Sequence, residues 1–304
     1  MIDILMATYN GADFVAEQIQ SLIDQTYTEW QLIVHDDGST DNTTDIVRQF
    51  GAKDKRIKLI DDGRRHLGVA KNFIHLLDYS TDQYVMFCDQ DDIWLPHKIA
   101  TMLAAIERKD NSVPQAIFAN AYLWNKQRGI ISDKNTLYYP RTVRDLLFLN
   151  SGVQGASSIF NAAMRQIMRA PLSYYAMHDH VLALSAVTLG EIDYIDLPLM
   201  KYRQHSHNVT GNAPGSMRKK IATLVKNRHN TVVFAEHLYG LRSFYDYYKN
   251  SIGTEDQKLI ETFLALPNKN TLQRLTAIVK NRYSIFGSTW LLVLKVCFRK
   301  YFEP

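Results

Sequence analysis

Apolar residues in the first part of the chain follow two alternating rhythms. Short runs at Ile2–Thr8, Trp30–Val34, Ile57–Ile60 and Tyr84–Cys88 are rich in β-branched, aromatic and other apolar side chains, as strands buried on both faces require. Between them, Asp13–Gln25, Asn42–Phe50 and Gly68–Tyr79 read as helices. In the first, Phe14, Val15, Ile19, Leu22 and Ile23 share one helical face. The order β-α-β-α-β-α-β predicts a mainly parallel sheet with right-handed crossovers. After a helix at Pro96–Arg108 the pattern loosens. Ala116–Trp124, Gly155–Phe160, Ile192–Ile195 and Leu199–Gln204 read as strands, Asn125–Gly129 as a hairpin turn, and Val181–Leu189 as a short helix. From about Ser216 onward the pattern is helical, with Asn, Gly and Pro marking breaks near 250, 267 and 287.

The polar residues at the strand ends carry the chemistry. The fourth strand runs into Asp89, Asp91 and Asp92, with no basic residue before Lys98. Carboxylates so crowded repel one another unless something positive sits among them. Oxygen ligands suit a hard cation such as Mg2+ or Mn2+, which would also draw an anionic phosphate. In open α/β sheets, ligands bind just beyond the carboxyl ends of strands. A helix cap at Asp92, with Pro96 in the first turn, is the plainer alternative, and it accounts for one acid of the three. The second strand also ends in acids, at His35-Asp36-Asp37-Gly38-Ser39-Thr40-Asp41. Carboxylates there would accept hydrogen bonds from a base imide and ribose hydroxyls, and Tyr9 offers a ring for the base. An Asx turn with a helix cap is the alternative for Asp36 to Asp41. The pairing of two acidic strand ends in one sheet points to a nucleotide.

Composition narrows the class. The 304 residues, 46% hydrophobic and 22% charged, suit one large core or a domain with a helical appendage. Cys88 and Cys297 lie far apart, so a reducing compartment is expected and a disulfide framework is not. Met1-Ile2-Asp3 opens directly on a strand-like run, so no secretory signal is expected and the reading is cytoplasmic. Residues 1–214 hold 20 basic and 25 acidic side chains, and residues 215–304 hold 15 and 6. The net charges of −5 and +9 place a boundary at 214 between an acidic body and a basic helical region. Tyr283 to Leu294 is uncharged over 12 residues, short of the roughly 20 that span a bilayer. It predicts a helix in a membrane interface, with Trp290, Leu291, Leu294 and Phe298 on one side. Lys295, Arg299 and Lys300 would then face anionic head groups at the inner side of the plasma membrane. Packing on the sheet or a dimer seam is the alternative, which leaves an oligomer open. Nothing resembles a nucleic-acid-binding module.

Three ordered motifs carry a family resemblance: Ala7-Thr8-Tyr9-Asn10-Gly11, Asp36-Asp37-Gly38-Ser39-Thr40-Asp41 and Asp89-Gln90-Asp91-Asp92-Ile93-Trp94. Together they resemble the family-two glycosyltransferases of GT-A fold, over about residues 1–210. Gly68-Val69-Ala70-Lys71-Asn72-Phe73 and Tyr202-Arg203-Gln204-His205 are similar to bacterial rhamnosyltransferase-like members. The resemblance implies an α/β GT-A domain with a C-terminal helical region. It implies an inverting, metal-dependent transfer of a sugar from a UDP- or dTDP-linked donor to a glycan or polyprenyl-linked acceptor. Thr8, Tyr9, Asp36 and Asp37 would lie at the nucleotide, with Tyr9 and Asp37 holding the base. Asp89 and Asp91 match the family's Asp-x-Asp motif: Asp91 would bind the metal, with Asp89 near ribose or metal. Asp179 falls where the family has its catalytic base, although His178 departs from the usual acid there, and a cap for the helix at Val181 is the alternative.

Direct displacement at an anomeric carbon needs one carboxylate to take the acceptor proton and a cation to stabilise the leaving diphosphate. Further candidates are His205 as a metal ligand, Arg203 and Lys71 at the phosphates, and Trp94 as a wall of the acceptor site. Each has a plainer reading, as a surface, helix or packing residue. A sugar-phosphate nucleotidyltransferase would need a Gly-rich basic loop after the first strand, and Tyr9-Asn10-Gly11-Ala12-Asp13 has no base and one glycine. An inactive nucleotide-sugar-binding module is the reading from another class, and the intact acids at 89, 91 and 179 argue against it. No Gly-x-Gly-x-x-Gly follows a strand, which disfavours a dinucleotide dehydrogenase.

Overall fold

The structure, a computed structural model, describes residues 1–149, 153–204 and 231–302. In chain order the elements are β1 (Ile2–Thr8), α1 (Val15–Ile23), β2 (Trp30–Asp36), α2 (Thr43–Lys53), β3 (Ile57–Ile60), α3 (Val69–Leu76), β4 (Tyr84–Asp89), β5 (Ile93–Trp94) and α4 (Lys98–Ile106). They continue with β6 (Gln115–Asn125), β7 (Gly129–Ser132), α5 (Val143–Leu146), β8 (Ser158–Asn161), α6 (Ala162–Met168), α7 (His178–Leu189) and β9 (Glu191–Arg203). The last four helices described are α8 (Ala235–Tyr248), α9 (Thr254–Ala265), α10 (Thr271–Lys280) and α11 (Thr289–Phe298).

The chain falls into two compact units. The first comprises Met1–Leu137, Gln154–Arg169 and Gly190–Asn212; the second comprises Tyr138–Val153, Ala170–Leu189 and Ala213–Pro304. The second unit therefore gathers two internal segments as well as the basic C-terminal region.

The first unit is built on one sheet of order β3-β2-β1-β4-β8-β6-β9-β5, with β7 beside β6. The four strands β3, β2, β1 and β4 are parallel. Beyond them β8 runs antiparallel to β4 and β6, while β9 runs parallel to β6. Alternation drives the packing. Ile2, Ile4 and Met6 of β1 bury one face with Val15, Ile19 and Leu22 of α1. On the other face Phe87 of β4 meets the ring of Phe73 in α3 edge-on at 5.2 Å, and that of Phe160 in β8 at 4.9 Å. Register sets the functional edge. Thr8 pairs with Asp36 and Ala7 with Asp89, so β1 ends level with both acidic strand ends.

Local patterning differs from the structure at four places. The run Gly155–Phe160 begins with a 3-10 turn at Gly155–Ser157, and the strand follows it. The two closing strands are one, β9, whose pairing with β6 slips where Pro198 follows Ile195 in the register. Helix α7 starts at His178, so Asp179 sits inside its first turn rather than at the cap. The uncharged stretch from Tyr283 is also not a single helix. Tyr283 is fully buried and donates to the Leu259 carbonyl at 2.6 Å, and α11 begins at Thr289 after a Ser288 cap.

The second unit has its own aromatic core. Phe148 packs edge-on against Phe263 at 4.9 Å and meets the Tyr283 and Tyr301 rings. Helix α5 opens on a capping box in which Thr142 and Asp145 satisfy each other's backbone donors. In α11, Leu291, Leu292, Lys295 and Val296 turn inward, and the Lys295 ammonium donates to the Val232 carbonyl at 2.9 Å. Leu291 and Lys295 are thus internal, contrary to the sequence expectation, because the helix buries one stripe against its own unit. Trp290, Leu294 and Phe298 remain outside.

Candidate active site

The site lies at the carboxyl ends of β1, β2 and β4 and is held by short side-chain bridges between loops. Asp36, at the end of β2, is almost wholly committed. Its carboxylate accepts from the Thr8 and Ser39 hydroxyls at 2.8 and 2.6 Å and from the Gly38 and Ser39 amides at 3.1 and 2.7 Å. This is the Asx turn offered as the alternative reading, and it makes Asp36 and Thr8 builders of the loop. Asp37 is buried as well. It accepts from the Leu67 and Gly68 amides at 2.6 and 2.8 Å, which draws the 61–68 segment over the end of β2. Each of its oxygens keeps a second lone pair for a ligand donor.

The β1 loop is bound to the β2 loop by four further bridges. Asn10 N donates to the Ser39 hydroxyl, Gly11 N to Thr43, and Ala12 N to Asp41, while Thr40 N donates to the Asn10 amide oxygen. Asn10 holds φ at 46°, a left-handed conformation that asparagine tolerates better than most residues.

A residue that local patterning leaves unremarked ties β1 to the acid loop. Gln90, between Asp89 and Asp91, accepts from Tyr9 N and donates to the Tyr9 carbonyl, both at 3.0 Å. Its side-chain amide thus completes a rung of backbone pairing. Gly11 makes room for it, since a Cβ there would meet Gln90 Oε1 at 2.1 Å. The Tyr9 side chain is left half open, at 52% relative exposure.

Asp89 and Asp91 are half-buried, whereas Asp92 is fully buried. Asp92 does not cap a helix; the cap position of α4 is His97. Asp92 instead accepts from the Arg203 amide at 3.1 Å, and its other oxygen has no hydrogen-bond partner. Burial, followed by the Asp91 and Asp89 charges, pushes its carboxyl well above the usual carboxylate range, which fits a neutral acid. Lys98, also fully buried, lies over the Trp94 ring at 3.6 Å and donates to the Ala156 carbonyl at 2.5 Å. Burial brings its ammonium down to about 7. Lys98 also acts on Asp92 through its charge, as the last of several causes.

The remaining candidates divide. Arg203 is buried; its guanidinium donates to the Asp91 carbonyl at 2.6 Å and to Glu17 at 2.5 Å, so it shapes the acid loop from behind. Trp94 is a core residue, its amide bonded to the Ser21 hydroxyl at 3.0 Å, and it is not presented as an acceptor wall. Lys71 is exposed on α3, and Asp179 is half-buried in the second unit. His205 lies outside the described residues.

The family model described as "Glycosyl transferase family 2" matches residues 3–169. The chain belongs to glycosyl transferase family 2. The dTDP-rhamnosyl transferase RfbG of Shigella flexneri is 29% identical over 247 residues, spanning 73% of this chain and 80% of that one. WfgD of Escherichia coli, named as a UDP-Glc:alpha-D-GlcNAc-diphosphoundecaprenol beta-1,3-glucosyltransferase, is 26% identical over 220 residues, 70% of this chain and 80% of its own. Among solved structures, S. aureus TarS in complex with UDP-GlcNAc superposes with a TM-score of 0.60 at 16% identity, covering 91% of this chain and 78% of that one. The fold is GT-A, and the family-2 protein is a glycosyltransferase. The acids of the second and third motifs and the Tyr9 loop all fall within the matched span.

Proposed function

We propose that this family-2 enzyme is a metal-dependent, inverting glycosyltransferase that moves a sugar, rhamnose foremost, from a dTDP- or UDP-linked donor to a glycan on a polyprenyl diphosphate. The observation that carries the reading is the acid loop at the end of β4, tied through Gln90 to the β1 loop. RfbG and WfgD, with their named dTDP and UDP donors and WfgD's lipid diphosphate acceptor, support the substrate classes. In this reading the Tyr9 ring stacks on the base and Asp37 accepts a hydrogen bond from its imide N–H. Asp89 and Asp91 offer oxygen donors only, a set that fits Mg2+ or Mn2+. A cation there supplies positive charge for the departing diphosphate. Asp179 takes the proton of the acceptor hydroxyl as that oxygen forms its bond to the anomeric carbon and the bond to diphosphate breaks, which inverts the centre.

The second unit supports work at a membrane surface. Trp290, Leu294 and Phe298, at 75%, 38% and 56% exposure, form an outward stripe on α11, with Lys300 exposed nearby. No helix among the described residues is long and apolar enough to cross a membrane, so the contact is peripheral, at the inner face of the plasma membrane. The test is incubation with Mn2+, a panel of dTDP-rhamnose, UDP-glucose, UDP-GlcNAc and GDP-mannose, and a polyprenyl-diphosphate-linked sugar. One donor is expected to be consumed only with the cation, giving a product of inverted anomeric configuration by NMR. Turnover undiminished by EDTA, retention at the anomeric centre, or no donor consumed would overturn the reading.

A further inference from the structure

A second cluster of ligating side chains lies on the β2–β3 side of the first unit, outside the acid loop. His35 on β2, Asp62 after β3 and His75 on α3 each present one ligand atom, all within 4.8 Å of one another. The hydrogen bonds around His35 fix its tautomer. Asn72 Nδ2 donates to the His35 carbonyl at 3.2 Å, which orients the amide so that its oxygen faces His35 Nδ1 at 2.7 Å. Nδ1 therefore carries the hydrogen. In the neutral ring, Nε2 then turns a lone pair toward Asp62 Oδ1, 3.3 Å away. His35 is buried and Asp62 lies at the surface beside it, where the Arg64 guanidinium stands 3.7 Å from Oδ2; a positive charge between Nε2 and Oδ1 would join the two facing acceptors.

A proton on Nε2 would supply such a charge, and so would a metal ion. A tetrahedral ion with bonds near 2.0–2.1 Å holds its ligand atoms about 3.4 Å apart, close to the His35–Asp62 separation of 3.3 Å. The surroundings also have the form of an outer shell. A metal-binding imidazole donates its far N–H to a fixed acceptor, as His35 does to Asn72, and the Tyr79 hydroxyl donates to Asp62 Oδ2 at 2.9 Å.

We propose that His35 Nε2, Asp62 and His75 Nε2 bind a transition-metal cation, Zn2+ foremost, with the fourth position left to water. Two imidazoles and one carboxylate suit Zn2+, whereas the oxygen-only acid loop suits Mg2+ or Mn2+. Binding requires one rearrangement. His75 Nε2 lies 2.7 Å from Asp62 Oδ2, and Arg64 Nη1 donates to His75 Nδ1 at 3.2 Å. When the ion takes Nε2, the His75 proton moves to Nδ1 and Arg64, whose side chain is 61% exposed, swings into solvent. The ion would fix the 61–68 segment, whose Leu67 and Gly68 amides hold Asp37, and so stiffen the wall of the nucleotide pocket.

The test uses untagged full-length protein stripped with EDTA and titrated with ZnCl2 or CoCl2. Wild type and Asp91→Asn are expected to take up about one equivalent of Zn2+ and to give the intense visible bands of tetrahedral Co2+. His75→Gln and Asp62→Asn are expected to lose both signals while Mn2+-dependent nucleotide binding persists. Uptake equal in all four proteins, uptake abolished by Asp91→Asn alone, or no uptake in wild type would overturn the proposal. If either cluster variant fails to fold, the wild-type Co2+ spectrum decides, because weak octahedral bands would mark an oxygen site instead.

Discussion

The tightest spatial constraint in the site surrounds Gln90, a side chain with no acid or base of its own. Its amide does for Tyr9 what a neighbouring strand would do, and Gly11 is small because Gln90 fills the space a Cβ would take. Removing both hydrogen bonds in Gln90→Ala should weaken UDP or dTDP binding by about tenfold, the scale of two net hydrogen bonds of roughly 0.5–1.5 kcal/mol each. The fold should persist, and calorimetry reads the change. Gly11→Ala should weaken the nucleotide as much, and adding Gln90→Ala should recover part of that loss because the clash is gone. Strict additivity of the two would mean that the contact does not govern the loop. None of this was readable locally, since Gln90 and Tyr9 stand 81 positions apart. Asp92 misleads for the same reason. Its position suggests a cap, but its partner Arg203 is 111 residues away. The acids and Tyr9 were readable because each stands at the end of an apolar run, and strand ends are where such sheets bind ligands.

At the scale of elements, the parallel half of the sheet followed from periodicity because its inner strands β2, β1 and β4 are almost wholly buried and each helix has one apolar face. β9 was harder. Pro198 interrupts its pattern, yet the strand continues through a register slip against β6, which only the partner strand reveals. Helix α11 carries the same lesson. Its composition suggested one apolar side, but packing divides it, with Leu291 and Lys295 inside and Trp290, Leu294 and Phe298 outside. If the outer stripe docks on lipid, replacing these three with serine should reduce flotation with anionic liposomes severalfold and leave the far-UV spectrum intact. High salt should weaken wild-type flotation too. Binding unchanged by the triple substitution would assign the stripe to another partner.

At the scale of the molecule, the second unit has a built-in dependence on pH. Burial holds His178 down to about 3, and burial, with His237 nearby, holds His180 well below its ordinary value. The folded state therefore keeps both rings neutral where the unfolded chain binds protons. Stability from these groups is full above about pH 6.5 and falls as pH drops toward their folded values. Each group costs up to about 1.4 kcal/mol per pH unit. Urea midpoints for wild type should drop steeply between about pH 6.5 and 5, and His178→Gln should flatten that slope. An equal slope in the variant would assign the acid sensitivity to other groups.

The proposal that acid loop and base divide the labour of sugar transfer is tested most directly by one paired measurement. Donor affinity and Mn2+-dependent transfer are recorded together for Asp91→Asn and Asp179→Asn. Asp179→Asn should bind donor as wild type does while transfer falls by a factor of 100 or more, within the roughly 10²–10⁴ supplied by general-base catalysis. Asp91→Asn should lose Mn2+-dependent donor binding and turnover alike. Full transfer in either variant, or equal loss of donor binding in Asp179→Asn, would contradict the assignment.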